Sequence, residues 1–240
     1  MDISINGPKI YFTIPIFGGL DITETIVNSW IVIGLVFILC LILTHKLEKI
    51  PRKRTQQIAE KLVTMLDKLV ISTMGERNKN FAPYILTLMT YSVFGSLIGL
   101  VGLRSVTADI NVTLTWGIMT FFLVWANGLK THGLKYFKGL IDPIPVMLPL
   151  NIISQISMPV SLGFRHFGNI TAGMILSALL YGALGAAAAA IFGIALPLFQ
   201  IGIPAVLSIY FDVFSGCMQA FIFAMLTMVN VAGANEPDEA

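Results

Sequence analysis

Residues 144–234 form an almost unbroken apolar stretch, in which Arg165, His166 and Asp212 are the only acidic, basic or histidine residues. About 20 apolar residues in a helix cross a bilayer, since each adds 1.5 Å along the axis. The stretch is too long for one perpendicular helix, and we predict two long helices, at about 150–188 and 198–232. An arginine keeps its proton at any accessible pH, and burying its charge in lipid costs several kcal/mol. Arg165 therefore needs either a function or a partner.

Composition assigns the whole chain to the polytopic membrane proteins. Its 240 residues are 56% hydrophobic and 12% charged, with a mean hydropathy of +0.83, whereas charged residues make up roughly a quarter of soluble domains. Earlier spans are predicted at Thr25–Leu43, Phe81–Leu103 and Ile110–Leu129. We expect an all-α, single integral membrane domain with about five transmembrane helices, the last two long and tilted, and no cleaved signal peptide. Cys40 and Cys217 lie in apolar runs, which indicates neither a disulfide framework nor a metal site.

The segment 45–80 predicts how the chain is oriented in the membrane. It contains nine of the fifteen basic residues: Lys46, Lys49, Arg52, Lys53, Arg54, Lys61, Lys68, Arg77 and Lys79. Within it, Thr55–Met74 has apolar residues at three- and four-residue spacing, which predicts an amphipathic helix on the membrane surface. The positive-inside rule predicts that 45–80 is cytoplasmic and that residues 1–22 are external. No aromatic residues interleave these charges, which disfavours a nucleic-acid partner.

Each of the two long predicted helices carries one face of small and polar residues. The first face consists of Ser161, Arg165, Gly168, Asn169, Ala172 and Gly173, and the second of Ser208, Asp212, Ser215, Gly216 and Gln219. A membrane helix without a polar function would carry Leu, Ile or Val there, so the two faces predict a polar path through or beside the bilayer.

Structural roles for the same residues remain open. Arg165 and Asp212 are suited to an ion pair, and Asn169 and Gln219 to hydrogen bonds between helices. His166 lies about 100° around the helix from Arg165, where packing is the commoner role. Asp109, just before the third span, is suited either to capping its helix or to the entrance of an ion path.

The chain lacks the common catalytic and energy-coupling motifs. It has no phosphate-binding loop, H-E-x-x-H, G-x-S-x-G or C-x-x-C sequence, and no cofactor is predicted. Any energy that the protein uses is expected to come from an ion gradient or from a partner chain.

Three segments resemble subunit a of the F-type ATP synthase membrane sector. They are P-V-S-L-G-F-R-H-F-G-N at 159–169, C-M-Q-A-F-I-F at 217–223 and A-D-I-N-V-T-L at 108–114. The resemblance covers most of the chain. It implies a non-catalytic, multi-pass stator that moves H⁺ or Na⁺ beside a rotating ring of c subunits. The absence of a transit peptide favours a bacterial plasma membrane. The b-subunit peripheral stalk, the rest of the ATP synthase and membrane lipid are the other implied partners.

The resemblance also assigns roles to individual residues. The essential arginine of the family falls on Arg165, its asparagine on Asn169 and its glutamine on Gln219. Together with Asp212, Asp109 and His166, these are the predicted ion-translocation residues.

The sequence departs from the family pattern at three positions. Many members have a titratable residue nine positions after the arginine, where this chain has Met174, and His or Glu seven before the glutamine, where it has Asp212. His166 stands where leucine is common. A secondary transporter that binds an anionic substrate at Arg165 and a structural membrane subunit remain the alternatives.

Overall fold

The computed structural model describes residues 7–15, 19–51, 53–133, 135–139, 145–192 and 209–235. In chain order, the elements are β1 (Ile10–Ile14), β2 (Leu20–Thr23), α1 (Glu24–Thr44), α2 (Arg54–Met74), α3 (Ala82–Leu97), α4 (Ile110–His132), α5 (Lys135–Gly139), α6 (Leu148–Phe192) and α7 (Ser215–Gly233). Short 3₁₀ turns occur at Glu76–Phe81, Ile98–Val101, Val106–Ala108 and Pro145–Met147, and a π-helical turn at Ile209–Phe214 leads into α7.

Five helical segments of the described chain are long and apolar enough to cross a membrane: Glu24–Thr44, Glu76–Val101, Ile110–His132, Leu148–Ala188 and Ser215–Gly233. These segments confirm the all-α polytopic fold. Helix α6 has 45 residues and is therefore about 67 Å long, roughly twice the hydrocarbon thickness. It must incline or extend beyond the bilayer. The second long predicted helix is confirmed from residue 209 onward, while its predicted part at 198–208 lies outside the described residues.

The predicted amphipathic helix is confirmed as α2. It ends at Gly75, whose left-handed φ of +77° suits glycine and whose N–H donates to the carbonyl of Ile71. Near this end, Val70 and Met74 are buried against the other helices, whereas Ile58 and Leu62 in the first half are exposed. Its position on the membrane surface and on the cytoplasmic side stays a prediction.

Helices α3, α4, α6 and α7 pack around two apolar clusters. One extends from α2 through α3 and α4 to α7, and the other joins Leu88, Trp116, Leu162 and Phe223. Where α4 and α6 cross, each helix has a glycine at the contact. Gly117 of α4 lies against the carbonyl of Pro159, and Gly163 of α6 lies against the backbone of Leu114. Such glycines permit close helix packing in membranes. This crossing fixes α6, which carries Arg165, against the rest of the bundle.

A short antiparallel hairpin, β1–β2, precedes the first span. The sequence predicted only an external segment at residues 1–22, with no secondary structure. Strands this short, punctuated by proline and glycine, give a weak sequence signal.

Candidate ion-translocation site

The predicted polar face of α6 is exposed in this chain. Ser161, Arg165, Gly168, Asn169 and Ala172 are all exposed, whereas Gly173 is buried. Among the described side chains, no ion pair or hydrogen bond to Arg165 occurs. Lipid cannot solvate a guanidinium at this position, so the exposed face requires either water or a partner of opposite charge.

Asn169 connects the face of Arg165 to α7. Its amide nitrogen donates to the Gln219 side-chain oxygen at 3.3 Å. Gln219 is only 3% exposed, and its own amide nitrogen has no partner among the described residues. The structure thus joins Asn169, one turn after Arg165 on α6, to Gln219 on α7, and leaves a buried hydrogen-bond donor on Gln219.

His166 lies about 100° around α6 from the exposed Arg165 and points into the bundle. It is fully buried, with edge-to-face contacts to Trp116 and Phe223 at ring-centroid distances of 5.5 and 5.7 Å. Its Nε2 lies 3.4 Å from the Ser92 hydroxyl, and its Nδ1 has no partner among the described residues. The imidazole therefore serves as part of the helix packing and also carries a buried polar atom close to Arg165 in sequence.

A group of buried hydroxyls next to the loop between α3 and α4 was not predicted. The Thr107 hydroxyl lies 3.0 Å from that of Ser96 and 2.9 Å from that of Ser105, which in turn donates to the Gly95 carbonyl. Ser96 is one helical turn after Ser92, the partner of His166. The four-residue spacing of Ser92 and Ser96 in an apolar span is the sequence signal that would have identified them.

Asp109 caps α4, which confirms the first of its two predicted roles. Its carboxylate accepts the backbone N–H of Asn111 at 3.0 Å, and Asp109 is 7% exposed. Helices α4 and α6 run antiparallel at their crossing, because Gly117 meets Pro159 and Leu114 meets Gly163. Each residue advances about 1.5 Å along either helix. Moving from the crossing toward the start of α4 therefore means moving toward Arg165 on α6, and the first turn of α4 lies at about the level of Arg165.

Asp212 lies within the π-helical turn Ile209–Phe214. Its side chain and Ser208 lie outside the described part of the structure. The predicted polar face of this helix requires an uninterrupted 3.6-residue period across this segment, and that period is wrong here because a π turn is wider than an α turn. Further along the predicted face, Gly216 and Gln219 are buried, and Ser215 is half-buried.

Comparison with known proteins decides the family. The family model described as ATP synthase A chain matches residues 26–232. The chain belongs to the ATP synthase subunit a family.

Individual relatives agree with this assignment. The chain is 33% identical to ATP synthase subunit a of Trichlorobacter lovleyi, over 89% of this chain and 87% of the relative. It is 35% identical to ATP synthase subunit a of Oceanobacillus iheyensis, over 86% and 87%. A sodium-ion-specific ATP synthase subunit a from Propionigenium modestum is 29% identical over 96% of this chain and 86% of the relative.

Two departures from the family pattern can now be located on the helices. Met174 is half-buried on α6, about two and a half turns beyond Arg165, so this position offers no titratable group. His166 occupies a buried aromatic site between α6, α4 and α7.

Proposed function

We propose that the chain is the ion-conducting stator of a rotary ATP synthase. In this role, Arg165 faces a ring of c subunits, and translocation of H⁺ or Na⁺ is coupled to rotation and to ATP synthesis by other subunits. The observation that carries the proposal is the exposed guanidinium of Arg165, without an ion-pair partner among the described residues, on a membrane-length helix. Its small neighbours Gly168 and Ala172 leave room for a second helix to approach.

Electrostatics supplies the mechanism. A ring carboxylate that faces lipid must be neutral, because an isolated charge in a medium of low dielectric is very costly. A carboxylate 4 Å from a guanidinium gains about 4 kcal/mol when it ionises, at an effective dielectric constant of 20. Arg165 therefore drives release of the bound cation as each site arrives. The same charge repels a cation crossing directly, so ions must travel with the ring.

Two groups of residues are suited to lining the outer access path. Asp109 and the hydroxyls of Ser96 and Thr107 lie at the loop where α4 begins, close to the level of Arg165. Asn169 and Gln219 then provide amide groups beside the arginine. Asp212 stays a candidate for this path or the opposite one, and His166, through Ser92, is a candidate for the buried end of the outer path.

The setting follows from the same proposal. The chain forms one integral membrane domain in a bacterial plasma membrane, with residues 1–22 outside, the 45–80 loop inside and the helical pair at 150–232 against the ring. The b-subunit peripheral stalk holds it against rotation. No catalytic step of ATP synthesis is assigned to this chain.

Replacing Arg165 tests the proposal. In the purified complex reconstituted in liposomes, Arg165→Ala is expected to abolish ATP-driven ion uptake, measured as internal pH and internal Na⁺ together. Co-purification of the c subunits is expected to persist. Arg77→Ala is the matched control, because Arg77 is also exposed but lies in the 3₁₀ turn at the start of the second membrane-length segment, and it should transport like the parent protein.

The outcomes separate the alternatives. Coupled uptake that survives Arg165→Ala would refute the proposed role of the arginine. Loss of the c subunits from the Arg165→Ala preparation would favour the structural-subunit alternative. A parent protein that co-purifies with no c subunits, and instead takes up an anionic solute, would favour the transporter.

A further inference from the structure

The β1–β2 hairpin has a feature that the ion path does not explain. Three consecutive large apolar side chains on β1, Ile10, Tyr11 and Phe12, are 58%, 58% and 54% exposed. The hairpin is nevertheless anchored, since the backbone N–H of Glu24, the first residue of α1, donates to the Lys9 carbonyl at 2.8 Å. It also precedes residue 26, where the match to the family model begins.

The strand register gives the hairpin two different faces. Phe12 pairs with Ile22, and the next pair, Thr13 with Asp21, points to the other side of the hairpin. The Thr13 hydroxyl donates to the Asp21 carboxylate at 2.5 Å. Ile22 is buried against the protein, whereas Phe12 directly across from it is exposed. The apolar side that carries Phe12 and Ile22 therefore continues outward from the protein interior, and the Thr13–Asp21 pair lies on the other side. Tyr11 lies at an irregularity in the register between Ile10 and Phe12.

Water alone is a poor environment for this hairpin. An isolated two-stranded hairpin is at best marginally stable in water, and this one exposes aromatic side chains as well. The hydrocarbon core is equally unsuitable, because the unpaired N–H and C=O groups of both edges would have no partners there. The layer between, at the boundary of headgroups and acyl chains, accepts an apolar face on one side and a polar face on the other.

An aromatic residue of α1 indicates the same layer. Trp30 is 60% exposed and lies six residues after Glu24, about 9 Å along the helix axis. Exposed Trp and Tyr side chains concentrate at the two membrane interfaces. Tyr11 in the hairpin and Trp30 in α1 therefore bracket the point where the first span enters the membrane.

We propose that the β1–β2 hairpin lies in the lipid interface on the side where α1 begins, with Phe12 toward the acyl chains and the Thr13–Asp21 pair toward water. The partner is phospholipid, reached through continuity with the exposed apolar surface of α1, a helix of membrane-spanning length. This inference concerns the membrane anchor and does not depend on the ion path or on Arg165.

Photo-crosslinking in the complete complex tests the placement. The photoreactive residue p-benzoylphenylalanine replaces Phe12 in one variant and Thr13 in another, and the complexes are reconstituted in phospholipid liposomes. Phe37, which is 61% exposed on α1, receives the same residue as a positive control for lipid contact. Adducts are identified by mass spectrometry after irradiation. We expect about tenfold more phospholipid adduct at position 12 than at position 13, and a yield at position 12 comparable to that at position 37.

Three results would overturn the inference. Crosslinking of position 12 to another polypeptide would mean that a protein subunit covers the hairpin. Equal lipid yields at positions 12 and 13 would mean that the hairpin has no fixed orientation at the interface. No lipid adduct at position 12, with the control at position 37 positive, would place the hairpin in water.

Discussion

At the crossing of α4 and α6, adding a single methyl group should strongly reduce both stability and coupled transport. A Cβ atom built on Gly117 would lie 2.3 Å from the Pro159 carbonyl oxygen, and its other close neighbours are also backbone atoms of Pro159. An ordinary contact begins at 3.4 Å, so Gly117→Ala must separate the two helices by about 3.4 − 2.3 = 1.1 Å. The displacement occurs six residues before Arg165, about 9 Å along α6.

Two opposing energies decide the result. Alanine is the better helix former by about 1 kcal/mol, whereas overpacking a close-packed site costs about 1–3 kcal/mol. The upper part of that range applies at Gly117, because a helix backbone cannot rotate aside as a side chain can. We expect a net loss of stability of about 1–2 kcal/mol. A shift of about 1 Å at a reactive site can also lower a rate by two orders of magnitude, so coupled transport should fall about tenfold or more.

Gly128, on α4 like Gly117, provides a matched control. A Cβ on Gly128 would lie 2.4 Å from a ring atom of Tyr136, nearly as close as the contact at Gly117, but the atoms that must yield there belong to a side chain and not to a helix backbone. Gly34→Ala adds a methyl where nothing lies within 4 Å. Gly163→Ala is intermediate, since its nearest atom is the Leu114 Cα at 2.9 Å.

The assay combines two measurements on each purified complex. Retention of the chain in the complex after heating reports stability, and ATP-driven ion uptake in liposomes reports coupling. The expected order of damage is Gly117→Ala, then Gly163→Ala, then Gly128→Ala, with Gly34→Ala unchanged. Equal effects of Gly117→Ala and Gly128→Ala would refute the reasoning, because the two differ mainly in whether backbone or side chain must yield.

Three further substitutions test individual polar contacts. Asp109→Ala should cost about 1 kcal/mol through loss of the α4 cap, and Asp109→Asn should restore retention on heating; if Asp109 also conducts ions, Asp109→Asn will still transport poorly. Asn127 donates to the Val231 carbonyl at 2.8 Å and to the Asn78 side chain at 3.4 Å. Asn127→Ala should therefore lower stability by about 1–3 kcal/mol in the same heating assay. As a control, Asn111→Ala should leave stability unchanged, because Asn111 is exposed. His166→Leu leaves the Ser92 hydroxyl without its imidazole partner; a packing role predicts parallel losses of stability and ion uptake, and a role in the ion path predicts that uptake falls much further than stability.

The sequence alone established the membrane class, the first three spans and the helical nature of the long C-terminal segments. Each of these depends on the hydrophobicity of a window of about 20 residues, which is a local property of the chain. The cap at Asp109 was predictable for the same reason, since its partner Asn111 is two residues away. The motif around Arg165 was also local, and it indicated the family that the comparisons then confirmed.

Tertiary structure decided what depends on distant residues. Nothing near His166 in sequence indicates that its ring contacts Ser92, 74 residues earlier. Nor does the sequence indicate that the side-chain hydroxyls of Thr107 and Ser96 lie next to each other. The π-helical turn that contains Asp212 changes the backbone hydrogen bonding, and no pattern of side chains with a 3.6-residue period could reveal it. Helix positions follow from the free energy of transferring local segments into lipid. The direction in which each polar side chain points is instead determined by how the helices pack, and the glycines at the crossing of α4 and α6 set how closely they do so.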